Sequence, residues 1–349
     1  MGRRPDKTKH IAVLIVDDSP TVRQIVSSTL SNDDEIRVVG QARNGKEAVQ
    51  MVGQLNPDIV TLDIAMPVMD GLEATEQIMA YHPTPIAILT SSLVGEKREY
   101  VYKALDLGAL AIIPKPACLL DLDREFIEKI KLLSRVPVIT HLKGRRRGVP
   151  EQVPRSVDPQ AVKQKTIGIV SSTGGPDALK RILSKFPTDL PVGIIVVQHI
   201  GAGFEKDLIG WLSGYSNARL RLAEQGELIE PGVVFFAPSG SHTVVYSKNK
   251  IGLINTPPVW GHRPSGDILL ASLAEHSGSK AIGVILTGMG KDGAQGIKAV
   301  HDAGGKTIAQ DEKSSLIFGM PKEAIALGAV DKIADIDHIA DELLRMAAA

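Results

Sequence analysis

The sequence predicts an α/β protein built on two doubly wound, mostly parallel sheets. Three observations predict it. Short apolar runs alternate with helix-length amphipathic stretches, and strands spaced by helices pair in parallel. The chain has 349 residues, long enough for two domains. A proline- and arginine-rich stretch over 136–165 interrupts the alternation and separates the two halves.

In the first half, 11–16 reads as an apolar strand and 20–30 as a helix, with Val22, Ile25, Val26 and Leu30 at helical spacing. Strands follow at 36–39, 58–62, 85–89 and 109–113. Helices follow at 45–55, 71–81, 96–107 and 119–134, the last with Leu122, Phe126, Ile130 and Leu133 on one face. The domain therefore spans 1–134, and 135–165 is a basic linker.

The second domain, 166–349, opens on an apolar strand, 166–170, and the turn Ser171-Ser172-Thr173-Gly174-Gly175-Pro176. Pro176 suits the first position of the helix that follows. Strand 192–197 ends in Gln198-His199, and 204–212 is a helix. Residues 219–223, 233–237, 242–246 and 251–254 make a β-rich patch, read as an antiparallel insertion, with a hairpin turn at Lys248-Asn249-Lys250. Helix 266–276 and strand 281–286 follow. The strand ends in Thr287-Gly288-Met289-Gly290-Lys291-Asp292-Gly293. A helix over 294–303, a strand over 307–310 and two helices complete the chain.

Charge and composition narrow the function. Lysine plus arginine and aspartate plus glutamate are equal at 40 each. Residues 1–134 carry 15 basic and 19 acidic side chains, 135–165 carry 8 and 2, and 166–349 carry 17 and 19. Positive charge is concentrated in the linker, around Gly144-Arg145-Arg146-Arg147-Gly148, and not on a folded domain. That argues against nucleic acid as a partner. The arginine run suits acidic partners or lipid headgroups, and equally a solvated connector. No run of about 18 apolar residues occurs, so no membrane insertion is expected. The polar start at 1–10 and the single cysteine, Cys118, fit a cytoplasmic protein without disulfides, with Cys118 a plain thiol.

In a doubly wound sheet, function gathers at the carboxyl ends of the strands. In the first domain these ends carry Asp17-Asp18, Asp63, Thr90-Ser91-Ser92 and Lys115-Pro116. Clustered carboxylates repel unless a cation sits among them, which points to Mg²⁺ held by Asp17, Asp18 and Asp63. Lys115 and Ser91 suit a phosphoryl group on Asp63.

These stretches (Val16-Asp17-Asp18-Ser19, 62–71 around Asp63, Leu89-Thr90-Ser91-Ser92 and Pro114-Lys115-Pro116) resemble a response-regulator receiver domain over about the first 120 residues. The resemblance implies a flavodoxin-like sheet and phosphorylation of Asp63 by a sensor histidine kinase. It implies Mg²⁺ on Asp17, Asp18, Asp63 and the Ala65 carbonyl, and Ser91 as the switch hydroxyl, with Thr90 its rival. Ala65 stands where related regulators are often acidic, and Ile112 where many carry an aromatic switch residue.

In the second domain Ser172, His199 and Asp292 each lie just past an expected strand, so one sheet edge can collect them. A serine needs a base to become a nucleophile. An imidazole can take its proton, and a carboxylate on the other ring nitrogen fixes the tautomer. Gly174, Gly175 and the 288–290 turn can leave N–H groups aimed at an oxyanion. Taken alone, the turn suits phosphate binding equally well, His199 a structural histidine and Asp292 a helix N-cap. His242, His262 and His276 are rival bases.

The stretches 171–176, 198–204, His262-Arg263-Pro264-Ser265, 286–293 and Phe318-Gly319-Met320-Pro321 resemble the catalytic domain of chemotaxis protein-glutamate methylesterases. With the receiver in front, the likeness covers nearly the whole chain. It implies a Rossmann-like esterase domain with Ser172, His199 and Asp292 as the triad, and Ser172 in preference to Ser171 as the nucleophile. The oxyanion hole falls on the backbone of Thr173 and Met289, and no metal is needed there. Chemoreceptors are the implied substrate, and glutamine deamidation often accompanies ester hydrolysis in that family. Ser171, Ile200-Gly201 and Lys291 depart from the family's usual alanine, Met-Pro and asparagine. Arg263 suits either steering of an acidic segment or a structural ion pair. The domain order leads to the expectation that the unphosphorylated receiver covers the edge carrying Ser172. The alternative is a non-enzymatic signalling adaptor with a binding-only second domain.

Overall fold

The computed structural model describes residues 10–90, 98–115, 124–138, 165–246 and 249–348. Ser91, Cys118, Leu122, Lys248 and the arginine run of the linker lie outside the described residues. The chain divides into two compact units, Met1–Arg146 and Arg147–Ala349.

The first unit runs β1 (Ile11–Val16), α1 (Pro20–Leu30), β2 (Ile36–Ala42), α2 (Gly45–Leu55), β3 (Ile59–Asp63), α3 (Gly71–Tyr81), β4 (Ile86–Thr90), α4 (Arg98–Asp106), β5 (Ala111–Pro114) and α5 (Arg124–Leu133). All strand pairs are parallel, in the order β2-β1-β3-β4-β5. β3 and β4 are buried at every position, which is why they read as mostly apolar and do not alternate. Helix starts follow side-chain caps: Ser19 accepts from Val22 N–H, Asn44 from Glu47 N–H and Asp70 from Glu73 N–H. The order reverses between β1 and β3, so Asp17 and Asp63 end neighbouring strands at the switch point.

The second unit runs β6 (Thr166–Ser171), α6 (Gly175–Leu183), β7 (Gly193–Gln198), α7 (Glu205–Ser213), β8 (Arg219–Leu222), β9 (Val233–Phe236), β10 (His242–Tyr246), β11 (Lys250–Ile254), α8 (Gly266–Ser277), β12 (Ala281–Ile285), α9 (Ala294–Asp302), β13 (Lys306–Gln310), α10 (Met320–Ala326), β14 (Lys332–Ala334) and α11 (Ile336–Ala348). Seven strands form one parallel sheet, β14-β13-β12-β6-β7-β9-β8. Two strands expected in the antiparallel insertion, β8 and β9, extend this sheet instead. β9 is Val-Val-Phe-Phe, buried at all four positions like an inner parallel strand. The antiparallel part is β10 with β11. Val170, Val197, Phe235, Leu270, Ile285 and Ile297 share one buried core between sheet and helices. The order reverses between β6 and β12, with β7 beside β6, which sets the ends of these three strands side by side.

Candidate active site

Ser172 follows β6 and is buried to 6% exposure. Its N–H donates to Thr287 O at 3.0 Å, and its carbonyl accepts from Gly175 N–H at 2.8 Å, so the turn is tied at both ends. Gly174, at φ 82°, lets the chain swing from strand into α6 without a Cβ penalty. His199 continues β7, and its N–H donates to Ser171 O at 2.9 Å. It therefore stands in register beside Ser172, on a parallel strand about 4.8 Å away.

His199 Nε2 lies 2.8 Å from Asp292 Oδ2. A carboxylate only accepts, so Nε2 carries the proton and Nδ1 is the basic nitrogen. Nδ1 is buried, without a hydrogen-bond partner. Among the described residues the Ser172 hydroxyl has none either.

Asp292 does not cap its own helix, α9, whose N-cap is Gly293; it sits at the N-terminus of α8. Ser265 Oγ–H donates to Oδ1 at 2.6 Å, Gly266 N–H to Oδ2 at 2.6 Å and Asp267 N–H to Oδ1 at 3.1 Å. A helix N-terminus favours an anion through its unpaired N–H groups and its dipole. Burial pushes the Asp292 carboxyl up, but His199, Ser265 and Gly266 outweigh burial and hold it below the usual carboxylate range.

The backbone N–H groups of Thr173 and Met289 make no hydrogen bond to any described residue, and both residues are half-buried. The Gly288 Cα that precedes Met289 faces Ser172. A Cβ there would lie 2.2 Å from Met320 Sδ and 2.8 Å from Ser172 Cβ.

Sequence reasoning missed the residues that lock this geometry. Gln198 Nε2 donates to the carbonyls of Ser172 at 2.9 Å and His199 at 2.8 Å, while its Oε1 accepts from Ser171 Oγ at 2.6 Å. Thr287 Oγ1 donates to Thr173 O at 3.0 Å. The rival bases have other places. His242 is fully buried, takes Ser265 N–H on Nδ1 and donates from Nε2 to Pro257 O, a structural imidazole. His276 is exposed near the end of α8. His262 stacks on His199, with ring centroids 3.8 Å apart and planes 11° from parallel. Arg263 donates to Thr256 O at 3.3 Å and has no carboxylate partner among the described residues.

In the first unit Lys115 Nζ lies 2.8 Å from Asp17 Oδ2 and 2.9 Å from Asp63 Oδ2. Burial raises the Asp63 carboxyl, and Asp17 adds to that; Lys115 offsets it only in part. Burial works to lower the Lys115 ammonium, but the hydrogen bonds to Asp17 and Asp63 outweigh it and raise it. Asp17, Asp18 and Asp63 bring ligand oxygens within 4.8 Å of one another, a set of hard donors that fits a divalent cation. Thr90 is buried at the end of β4, where its carbonyl accepts from Lys115 N–H at 2.7 Å. Among the described residues no helix is long and apolar enough to cross a membrane.

The comparisons agree with both halves. The family model "CheB methylesterase" matches residues 167–343, and "Response regulator receiver domain" matches 13–126. A protein-glutamate methylesterase/protein-glutamine glutaminase of Pyrococcus horikoshii is 39% identical over 99% of this chain and 94% of its own. Its counterpart 3 of Anaeromyxobacter dehalogenans is 41% identical over 95% of this chain and 98% of its own. The crystal structure of the Thermotoga maritima CheB methylesterase catalytic domain matches at TM-score 0.52 and 38% identity, covering 53% of this chain and all of that one. These relatives carry enzyme names, which favours catalysis over a binding-only second domain. The chain belongs to the CheB methylesterase family, with a response regulator receiver domain ahead of the esterase domain.

Proposed function

We propose that this protein is a phosphorylation-activated serine esterase that hydrolyses glutamate methyl esters on chemoreceptors, releasing methanol, and deamidates glutamines there. One observation carries the reading. A serine at the end of β6 stands beside an imidazole whose far nitrogen, 2.8 Å from Asp292, is held by a helix-capped carboxylate.

Ser172 Oγ attacks the ester carbonyl and passes its proton to His199 Nδ1. Asp292 supports the imidazolium through Nε2. The Thr173 and Met289 N–H groups receive the oxyanion, each worth on the order of 2.7–4 kcal/mol in the transition state. Methanol leaves with the proton from Nδ1. Water, deprotonated by the same nitrogen, then releases glutamate from Ser172.

In the receiver, Asp63 accepts a phosphoryl group from a sensor histidine kinase, and Asp17, Asp18, Asp63 and the Ala65 carbonyl would hold Mg²⁺, which would supply positive charge against the incoming phosphoryl oxygens. Lys115 stays close to Asp63, and Ser91 is the switch hydroxyl. The unphosphorylated receiver restrains the esterase, and the protein works in the cytoplasm, where kinase and receptor tails are accessible.

The test is methanol release from methyl-esterified receptor by wild type and Ser172→Ala. The variant is expected to lose roughly 10⁴-fold or more of the rate. Equal rates would remove Ser172 from the chemistry.

A further inference from the structure

The turn Val259-Trp260-Gly261-His262 closes through paired backbone bonds, Val259 N–H to His262 O at 3.1 Å and His262 N–H to Val259 O at 2.9 Å. Both central residues have positive φ, 53° at Trp260 and 83° at Gly261. Such two-residue turns favour Asn or Asp before Gly. A bulky aromatic in the left-handed region is an outlier. Core packing does not account for it, because Trp260 is 54% exposed.

Its surroundings fix it in place instead. Lys291 Nζ lies 3.6 Å from the indole ring centroid. The indole N–H donates to Asp267 Oδ2 at 3.0 Å, and Asp267 Oδ1 accepts from Gly296 N–H at 2.8 Å. Lys291 precedes Asp292 in the chain, and His262, two residues after Trp260, is stacked on His199. An exposed indole is thus held in a strained turn, anchored to both ends of the His199–Asp292 pair. Strained residues of this kind gather at binding sites, where the surrounding structure over-determines them.

We propose that Trp260 and Lys291 form a docking ledge of the esterase and select an anionic polypeptide segment flanking the scissile side chain. This rests on the esterase reading above and adds its partner chemistry. The open indole surface gives apolar contact. Lys291 and the exposed Arg263, neither with a carboxylate partner among the described residues, give positive charge. Buried aromatic anchors supply much of the binding energy at such surfaces, and rim charges supply selection.

The test uses the full chain and three esters. One is a synthetic peptide with a glutamate γ-methyl ester flanked by glutamates. The second is the same peptide with those glutamates replaced by glutamines. The third is N-acetylglutamate γ-methyl ester amide. Trp260→Asn keeps a residue that tolerates positive φ. It should lower the ratio of kcat/KM for the acidic peptide to that for the small ester by about tenfold. Lys291→Met should cut the preference for the acidic over the neutral peptide by about fivefold, and the wild-type preference should shrink as salt rises. Unchanged ratios overturn the ledge, whether all three rates hold or fall together. So does a wild type without preference for the acidic peptide. Ser172→Ala, run alongside, separates the two readings. If it matches wild type on every ester, the esterase reading fails and takes the ledge with it. If wild type needs Ser172 but the ratios do not move, the ledge alone fails.

Discussion

Asp292 lies buried at the start of a helix to which it does not belong, and that placement has a pH consequence. Its carboxyl is held below the ordinary range near pH 3.9 by His199, Ser265 and Gly266 against burial. A carboxyl whose folded pKa lies below its unfolded value stabilises the fold. That contribution is full above the unfolded value and is lost as pH falls through the folded one. The stability gap between wild type and Asp292→Asn should therefore be widest near pH 7 and narrow below about pH 4. Trp211 and Trp260 both lie in the second unit, so urea unfolding followed by tryptophan fluorescence reads this unit. A gap constant from pH 7 to pH 3 would remove the helix-capped carboxylate from the account. The strand-end positions of Ser172 and His199 were legible because apolar runs set which residues end strands; Asp292 lies seven residues past the end of β12. Which ring nitrogen faces Asp292, and the caps from Ser265 and Gly266, were not legible. Hydrogen bonds between segments some 26 residues apart, as from Gly266 to Asp292, leave no period in the sequence. Gln198 escaped notice for the same reason.

At the scale of the elements, the site depends on how closely β12 and β6 end together. Gly288 is the tight point. In Gly288→Ala the new methyl would meet Met320 Sδ at 2.2 Å and Ser172 Cβ at 2.8 Å. Overpacking of this kind costs about 1–3 kcal/mol, so thermal melting should fall by several degrees. Esterase activity of the still-folded protein should fall further, because Met289 and Ser172 both move. Full activity in a folded Gly288→Ala would show that the approach is not needed. The buried strands of both sheets were legible as apolar runs, α1 by the helical spacing of Val22, Ile25, Val26 and Leu30, and α2 and α3 as helix-length stretches between strands. The fate of β8 and β9 was not, since an apolar run does not say which sheet it joins. β14, three residues long, is too short to show a period.

For the whole molecule, the proposed link between its two chemistries runs through Asp63. Asp63→Asn should leave basal methanol release in place and abolish its rise with a small phosphodonor such as acetyl phosphate. A chelator should likewise block the rise and spare the basal rate, because among the described residues the carboxylate cluster that fits a divalent cation is Asp17, Asp18 and Asp63 in the receiver. A basal rate that collapses with the chelator would place a metal in the esterase step. The two-domain order was legible from the basic, proline-rich break in the alternation, and that order is what motivates the proposed coupling between the domains. Methanol release from methyl-esterified chemoreceptor, measured on the intact chain with and without phosphodonor for wild type and Ser172→Ala, decides whether Ser172 does the chemistry and phosphorylation controls it. Wild type should give a phosphodonor-stimulated burst of methanol, and the variant none above background. Stimulated release by Ser172→Ala at the wild-type rate would contradict that role of Ser172.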